Sequence, residues 1–363
     1  MHAAPPLTRA DSDALVTAIR DWAAELGFAR VGITGVAPGP EEGRLESWLD
    51  AGCHGTMAWM ARHGRKRSRP TLLRPGTRSV ISVRMDYWPA RAAPAWPLLD
   101  DGRRGYVARY ALGRDYHKLV RKRLQRLAER IVGRVGSFGH RVFVDSAPVL
   151  EKPLAERAGL GWTGKHTNLI SRDAGSWFFL GELYTDLDLP HDAPATDHCG
   201  TCRACIDVCP TRAIVAPYRL DARLCISYLT IEHDGPIPER LRPPIGNRIY
   251  GCDDCQLVCP WNRFATTTPE SDFLPRHGLD APDLVELFAW DESTFLARTE
   301  GSPIRRLGHV RWLRNLAVAL GNGPADDAVR GALRARQSHP SELVREHVAW
   351  ALARVGGETG SSS

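Results

Sequence analysis

Eight of the nine cysteines in this 363-residue chain lie between residues 199 and 259, and their spacing constrains what that segment can fold around. The first run, with spacing C-x2-C-x2-C-x3-C-P, comprises Cys199, Cys202, Cys205 and Cys209. The second run comprises Cys225, Cys252, Cys255 and Cys259, and it also ends before a proline. A C-x2-C-x2-C turn wraps three thiolates round one [4Fe–4S] cubane, and the cysteine before proline typically binds the other cubane.

This spacing predicts two interlocked cubanes with crossed ligands. One set is Cys199, Cys202, Cys205 and Cys259, and the other is Cys209, Cys225, Cys252 and Cys255. Zinc is the alternative, because paired C-x2-C motifs also bind zinc tetrahedrally. Zinc does not require the third closely spaced cysteine or the Cys-Pro endings, so the spacing favours iron–sulfur clusters and a protein that transfers electrons. The ninth cysteine, Cys53, stands alone and is expected to be a small structural thiol rather than a catalytic one.

Composition places the protein in a reducing compartment. Apolar residues make up 43% of the chain, which is enough for a substantial core, and no apolar run approaches the roughly 18 residues of a membrane span. Residues 1–6 show no secretory or twin-arginine signal. Free thiols in metal-ligand spacing belong to a reducing environment, so we expect a cytoplasmic protein without a membrane partner, and we expect it to be a monomer.

Positive charge is unevenly distributed along the chain. The net charge is +6, but residues 62–130 hold nineteen Lys/Arg against five Asp/Glu, and residues 298–354 hold ten arginines against five acids. Such blocks are often only solvated helix faces. Two of them beside a redox module indicate a polyanionic partner, and nucleic acid is the natural candidate.

Hydrophobic periodicity divides the chain into three parts and a tail. Residues 1–190 interleave helices and strands, which predicts an α+β domain. Residues 191–265 form the ferredoxin-like cluster module, and residues 266–356 are predicted to be paired amphipathic helices of HEAT-like type. In this last part a single long helix is expected to begin at Ser302-Pro303 and to continue to Leu320. Residues 357–363 are expected to be disordered.

The N-terminal part contains no familiar nucleotide-binding motif. No G-x-G-x-x-G follows a predicted strand, no P-loop is present, and no C-x3-C-x2-C triplet marks a radical S-adenosylmethionine cluster. Periodicity and spacing therefore do not identify what receives the electrons from the clusters.

Four segments of the chain closely resemble the epoxyqueuosine reductase family. They are Tyr110-Ala-Leu-Gly-Arg-Asp-Tyr-His117, Asp145-Ser-Ala-Pro-Val-Leu-Glu151, Ala158-Gly-Leu-Gly-Trp-Thr-Gly-Lys-His166 and Gly251-Cys-Asp-Asp-Cys-Gln256. The resemblance extends from about residue 10 to the C-terminus and includes the spacing of all eight cluster cysteines.

The resemblance implies a cobalamin-dependent oxidoreductase that removes the epoxide oxygen from epoxyqueuosine at the wobble position of tRNA. It implies a nitroreductase-like cobalamin-binding domain, two [4Fe–4S] clusters and a helical-repeat tail. The tRNA partners would be the Asp, Asn, His and Tyr acceptors, and the electron donor would be a ferredoxin or flavodoxin. Reduction of cobalt needs a low-potential donor, and cubanes can reach such potentials.

The cofactor-binding candidates are His63, Lys165, His166 and Ser227. Glycines flanking Lys165 and His166 would suit a close approach of the backbone to a cofactor, although they are also compatible with a simple turn. Asp115-x-His117 begins like a cobalamin-binding D-x-H-x-x-G motif, but Val120 replaces the glycine. A helix N-cap with an exposed histidine is therefore the favoured interpretation, and the resemblance also implies no histidine ligand to cobalt.

Asp145 is the candidate catalytic acid. It ends the apolar strand predicted over residues 141–145, so we expect its carboxyl group in a mostly apolar pocket that raises its pKa. The aspartate at this position of the family motif is assigned the role of the acid. The alternative is that Asp145 caps the helix predicted to begin near Val149.

Arg311 and Arg314 are the candidate tRNA contacts.

Two other functions remain open at this stage: a corrinoid reductive dehalogenase, which also pairs cobalamin with two cubanes, and a non-catalytic electron-transfer or nucleic-acid-binding protein. The first is commonly exported by a twin-arginine signal, and the second would leave Asp145 and the 161–166 segment without a role.

Overall fold

The computed structural model of the chain describes residues 8–356. The expected absence of an N-terminal signal in residues 1–6 and the predicted disordered tail at 357–363 lie outside the described residues. Among residues 8–356, no helix combines the length and the apolar character needed to cross a membrane.

Residues 8–190 form an α+β arrangement in which helices and strands alternate. The strands are β1 (Arg30–Gly35), β2 (Ser79–Asp86), β3 (Tyr106–Val107), β4 (His140–Phe143), β5 (Trp162–Thr163), β6 (Leu169–Ile170) and β7 (Phe178–Thr185). The helices are α1 (Arg9–Glu25), α2 (Glu41–Asp50), α3 (Trp59–Arg62), α4 (Pro70–Leu73), α5 (Ala95–Asp100), α6 (Tyr116–Val135) and α7 (Glu151–Arg157).

A four-stranded antiparallel sheet in the order β1-β2-β7-β4 is the centre of this part. β7 is buried along its whole length and β2 along almost all of it, because helices cover both faces of the sheet. Leu124 of α6 and Ile19 of α1 pack with Leu183 on one face. Leu154 of α7 packs with Tyr184 on the other face.

The cysteine-rich part, residues 191–265, consists mainly of turns. Its regular elements are α8 (Ala204–Asp207), β8 (Ile214–Ala216), β9 (Arg219–Leu220), α9 (Arg242–Ile245), β10 (Arg248–Tyr250) and α10 (Asp254–Leu257). A π-helical turn spans Tyr228–Glu232. β10 pairs in parallel with β3, so this part is joined to the N-terminal part by backbone hydrogen bonds.

The C-terminal part contains α11 (Leu284–Ala289), α12 (Glu292–Arg298), α13 (His309–Gly321), α14 (Asp327–Ala335) and α15 (Glu342–Gly356). The prediction of a single long helix that begins at Ser302 is wrong. The segment Pro303–Leu307 is a 3-10 helix, and Gly308, with φ of 78°, ends it before α13 begins. Ser302 does cap the first piece, since its hydroxyl accepts a hydrogen bond from the N–H of Ile304 at 3.2 Å.

Candidate active site beside two groups of cysteines

The structure gathers the eight cysteines into the two crossed sets that the spacing predicts. Cys199, Cys202, Cys205 and Cys259, here called group A, line one small cavity. Cys209, Cys225, Cys252 and Cys255, here called group B, line part of a separate and larger cavity. Ligation of the irons by these thiolates stays a prediction.

Two short helices produce the crossing. α8 carries Cys205 of group A, and Cys209 of group B follows two residues after this helix ends. α10 carries Cys255 of group B, and Cys259 of group A follows in the same way. α8 and α10 pack against each other, so the two groups are neighbours and each depends on both runs of sequence.

Burial affects the ionisation of the thiols in both groups. In residues 8–356, no three His, Cys, Asp or Glu side chains are grouped so that they could hold a metal ion. Burial raises the pKa of Cys205 to about 11 and raises the pKa values of Cys252 and Cys255 well above their usual range. Cluster assembly must therefore release protons from these thiols.

Two acidic side chains hold the Cys252–Cys255 turn in place. The carboxylate of Asp253 accepts hydrogen bonds from the Tyr106 hydroxyl and from the N–H of Arg109, both at 2.7 Å. Burial is the main reason that the pKa of Asp253 is raised to about 6. Asp254 forms an ion pair with Arg248 at 2.6 Å. The group B cysteines are thus positioned by the N-terminal part as well as by their own loop.

The larger cavity, of about 380 Å³, extends from group B to the end of β4. Aromatic and aliphatic side chains form much of its wall, among them Tyr87, Phe178 and Leu180. Asp145, Glu151 and Lys152 supply the polar groups on the side that contains the β4–α7 connection. A mostly apolar cavity with a few converging polar groups is the usual form of a cofactor or substrate site.

Asp145 lies in this cavity in an unusual backbone conformation. β4 ends at Phe143, and Asp145 has φ of 44°, in the left-handed region that a residue with a side chain rarely adopts. Its side chain is 50% exposed, since it faces the cavity. The Tyr116 hydroxyl donates a hydrogen bond to Asp145 Oδ2 at 2.5 Å, and His117 Nε2 lies 3.1 Å from the same oxygen.

The expectation of a raised pKa for Asp145 is wrong. Burial acts to raise the pKa of this carboxyl, but the contacts with His117 and Tyr116 outweigh burial and lower it. The capping alternative also fails, because α7 begins at Glu151 and its cap residue, Leu150, makes no side-chain capping bond. The protein therefore orients Asp145 toward the cavity rather than toward a helix end.

His117 links Asp145 to two further charged residues. Its Nδ1 lies 2.7 Å from Asp115 Oδ1, and Arg306 donates a hydrogen bond to Asp115 Oδ2 at 2.7 Å. Burial alone would lower the pKa of His117, but the two flanking carboxylates raise it to about 9. Asp115 does cap α6, as predicted. The expectation that His117 is exposed is wrong, since its side chain is only 14% exposed.

Glu151 is a second carboxyl beside Asp145 that sequence reasoning missed. Its Oε2 accepts a hydrogen bond from the N–H of Asp145 at 3.3 Å. Burial, followed by repulsion from Asp145, raises the pKa of Glu151 to about 8, so this group holds a proton at neutral pH. The one sequence signal that could have identified these groups is the family resemblance, because the segments that carry it include Tyr116, His117 and Glu151.

The four cofactor-binding candidates are distributed over different places. His166 is buried, and it lines both the larger cavity and the group A cavity; Ser227 lines the larger cavity. Lys165 instead lies at group A, where its Nζ donates to the carbonyl oxygens of Gly200 at 2.5 Å and Cys202 at 2.9 Å. His63 is exposed and does not line either cavity.

The glycines beside Lys165 and His166 have a packing role. A Cβ atom on Gly161 would lie 2.2 Å from the carbonyl oxygen of Ile170, and one on Gly164 would lie 2.4 Å from Ile170 Cδ1. The close approach is therefore between β5 and β6, which form a small hairpin. The expectation that these glycines make room for a cofactor finds no support here.

The prediction that Arg314 contacts tRNA is wrong. Its side chain is fully buried, and its guanidinium donates to the carbonyl oxygens of His233, Gly235 and Leu229 at 2.7 to 2.8 Å. Arg311 is only partly buried, but it donates to the carbonyl oxygens of Leu307, Ile231 and Arg306. Both side chains satisfy backbone groups where α13 meets the π-helical turn, and a sequence pattern does not distinguish this role from a basic surface.

Comparison with known proteins gives consistent matches. Residues 67–146 match the family model described as epoxyqueuosine reductase QueG, DUF1730, and residues 198–262 match that of a 4Fe-4S double cluster binding domain. The epoxyqueuosine reductase of Xanthomonas campestris is 65% identical over 350 residues, which cover 96% of this chain and 99% of the relative.

Two solved structures extend the comparison to three dimensions. Epoxyqueuosine reductase with an epoxyqueuosine-modified tRNA-Tyr stem loop superposes with a TM-score of 0.87 at 28% identity, covering 95% of this chain and 91% of that one. The Bacillus subtilis epoxyqueuosine reductase with its catalytic aspartate loop swung out of the active site gives a TM-score of 0.85 at 28% identity, with the same coverage.

Proposed function

The chain belongs to the epoxyqueuosine reductase family, and on that premise we propose that it reduces epoxyqueuosine to queuosine at the wobble position of tRNA, the last step of queuosine biosynthesis. The observation that carries the proposal is the larger cavity, which has cysteine group B on one side and Asp145 on the other. A site for this reaction needs an electron source and a proton source that face one space, and both line this cavity.

Cobalamin is the cofactor that we propose for the larger cavity. The cavity is open to solvent on one side, so a group larger than its 380 Å³ can extend outward. Much of its wall is aromatic and aliphatic, which suits the apolar face of a corrin ring. His166 Nε2 is buried without a hydrogen-bond partner, and Ser227 and Asn168 are further polar groups on the wall that could hold the cofactor's amide side chains. When bound, cobalamin would supply a reducible cobalt centre that faces the substrate.

The residues of this chain would supply and transfer the protons that the reaction consumes. Reductive removal of an epoxide oxygen consumes two electrons and two protons and leaves an alkene and water. An epoxide oxygen leaves poorly as an alkoxide, and a positioned acid accelerates such a step about 10²–10⁴-fold. His117 Nε2 lies 3.1 Å from Asp145 Oδ2, so a proton can pass from His117 through Asp145 to the substrate oxygen as negative charge develops on that oxygen. Glu151 holds a second proton beside them.

The finer description of the three parts belongs to the same proposal. The α+β part would be a nitroreductase-like cobalamin-binding domain, residues 191–265 the ferredoxin-like module and residues 266–356 a HEAT-like tail. A ferredoxin or flavodoxin would supply the electrons, and the substrates would be the Asp, Asn, His and Tyr tRNAs.

The test is anaerobic reconstitution of the protein with iron, sulfide and cobalamin, followed by incubation with a strong chemical reductant and tRNA that carries epoxyqueuosine. Nucleoside mass spectrometry should show a mass loss of one oxygen atom and conversion to queuosine, dependent on added cobalamin. Unchanged epoxyqueuosine in the presence of intact clusters and bound cobalamin would overturn the proposal.

A further inference from the structure

Lys165 lies between β5 and β6, and its side chain extends to group A. Its Nζ donates hydrogen bonds to the carbonyl oxygens of Gly200 at 2.5 Å and Cys202 at 2.9 Å, inside the first cysteine run. Its main chain reaches Cys199, since burial raises the pKa of that thiol and a hydrogen bond from the Lys165 backbone partly offsets this effect. One residue therefore contacts group A at two cysteines, through its main chain and through its side chain.

The backbone around Lys165 is itself held in place. The carbonyl oxygen of Lys165 accepts a hydrogen bond from the N–H of Tyr218 at 3.0 Å, and Tyr218 belongs to the turn between β8 and β9. The N–H of Gly164 donates to the carbonyl oxygen of Asn168 at 2.8 Å and closes the β5–β6 hairpin. A lysine that is fixed at its backbone and at its ammonium group presents a positive charge in a defined position.

Lys165 is the one charged side chain, apart from the cysteines, among the described residues that line the group A cavity. His166 also lines this cavity, but burial, followed by repulsion from Lys152, lowers its pKa to about 4, so His166 is neutral at neutral pH. The rest of the wall includes the apolar side chains of Ile170 and Trp261. A charge acts more strongly in apolar surroundings than in water, because the effective dielectric constant is lower there.

Three other charged residues lie on the loop that carries the first cysteine run, and none of them lines the group A cavity. Arg203 and Asp207 contact each other at 3.5 Å and are 66% and 63% exposed, so water screens both charges. Asp197 accepts a hydrogen bond from the N–H of Cys199 at 2.7 Å and opposes Lys165 in sign. Asp197 is exposed to solvent, whereas Lys165 faces the cavity, so the charge of Lys165 is the less screened of the two.

A cluster held by four thiolates is anionic, and each electron that it accepts adds one negative charge. A fixed cation beside such a cluster stabilises the reduced state more than the oxidised state, and charge and hydrogen bonding are among the features that set cubane potentials. We propose that Lys165 is a redox-tuning residue that raises the reduction potential of the cluster held by group A. Group A is the group with an exposed thiol, that of Cys202, so this potential decides how readily a reductant outside the protein loads the chain with electrons.

The test is a redox titration of the reconstituted full-length protein, monitored by electron paramagnetic resonance. Lys165→Gln keeps an N–H group that can donate to the loop carbonyls but removes the charge. The equilibrium constant for one-electron reduction of the group A cluster should therefore fall about tenfold, a shift of about 59 mV to lower potential. Lys165→Arg keeps the charge and should stay close to the wild type. Lys122→Gln, which removes the same charge at an exposed site on α6, should leave both cluster potentials unchanged.

The titration step that Cys259→Ala alters identifies the group A cluster, and the other step should move much less in Lys165→Gln. Equal potentials in Lys165→Gln and the wild type, or equal shifts in Lys165→Gln and Lys165→Arg, would overturn the assignment. Loss of iron from Lys165→Gln would overturn it as well, because the lysine would then hold the cysteine loop in place rather than tune the cluster. The assignment goes beyond the proposed function, and since the titration involves no tRNA, its failure is distinguishable from the failure of that proposal.

Discussion

Asp145 adopts its left-handed conformation because its neighbours hold it there. A non-glycine residue in that region costs on the order of 1–3 kcal/mol, and the contacts with Tyr116 and His117 offset that cost. The conformation turns the carboxyl group away from the strand and into the larger cavity.

Replacing Asp145 by Asn should remove most turnover while leaving the fold intact. Asn keeps the size of the side chain and can still bond to Tyr116, but it has no acidic proton. We expect the rate of epoxyqueuosine conversion to fall about 10²–10⁴-fold, with iron content, cobalamin binding and tRNA affinity unchanged. Single-turnover assays with nucleoside mass spectrometry measure the rate. Near-normal turnover in a variant that retains these three properties would exclude Asp145 as the acid.

The raised pKa of His117 predicts a pH-dependent contribution to stability. The unfolded-state pKa is 6.5 and the folded-state pKa is about 9, so folding favours the protonated form. The stabilisation is fully present below pH 6.5 and is lost as pH rises through about 9. His117→Asn should therefore reduce the free energy of unfolding more at about pH 6 than at about pH 10, as measured by urea titration. An equal reduction at both pH values would contradict the ion pair with Asp115 and Asp145.

At the scale of elements, the sequence predicted helix ends that are determined by neighbouring residues in the chain. α6 begins after the predicted cap at Asp115. The break at Gly308 was missed because the hydrophobic periodicity continues across it, although its positive φ is a conformation that glycine readily adopts. α11 and α12 were missed because they are too short for periodicity to reveal. The crossed cysteine sets were predictable because cluster ligation dictates spacing directly.

Crossed ligation predicts that each cysteine run supports the cluster of the other. Replacing Cys259 by Ala removes a group A thiol from the run that carries Cys252 and Cys255, and Cys209→Ala does the converse. The intact protein should hold about eight irons per chain. Cys259→Ala should perturb the group A cluster in electron paramagnetic resonance spectra while the group B signal persists. Loss of the group B signal alone would show that the ligands are not crossed.

Arg314 should be a stability residue rather than a tRNA contact. Replacing it by Met leaves three carbonyl oxygens without this donor, the buried one of Leu229 and the partly buried ones of His233 and Gly235. Each unsatisfied buried group costs about 1–3 kcal/mol, so we expect a loss of several kcal/mol in the free energy of unfolding. Arg311→Met, which removes a less buried side chain, is the matched comparison and should cost less. A stable Arg314→Met variant with weakened tRNA binding would contradict this assignment.

At the scale of the whole molecule, the α+β part and the cysteine-rich part line the larger cavity, and the C-terminal part contacts residues behind its wall. β3 and β10 join the α+β part to the cysteine-rich part, and Gln256 donates to the carbonyl oxygen of Ser176 at 2.9 Å across the same boundary. Arg306 connects the C-terminal part to Asp115 and through it to His117. The proposed electron path and proton path therefore depend on contacts between all three parts, and no local sequence pattern contains this relationship.

The tRNA surface should lie beside the cavity and be dominated by charge. The segment 58–69 borders the cavity wall, since Leu150 donates its N–H to the carbonyl oxygen of Arg67 at 3.1 Å, and this segment carries the exposed Arg62 and Lys66. A cation that neutralises a phosphate releases counterions, so binding should weaken linearly on a log–log plot against salt. Charge reversal at Arg62 and Lys66 should weaken tRNA binding and reduce that slope by about 1 to 2.

Fluorescence anisotropy with an anticodon stem loop at several salt concentrations measures both the affinity and the slope. Arg9→Glu/Arg134→Glu, the same change in net charge at exposed sites outside both basic blocks, should leave the slope near the wild-type value. Because recognition of one modified base also requires that base to be unstacked into the cavity, part of the affinity should persist at high salt. If the two double variants lose affinity equally, the net charge of the molecule, rather than a surface beside the cavity, attracts the tRNA.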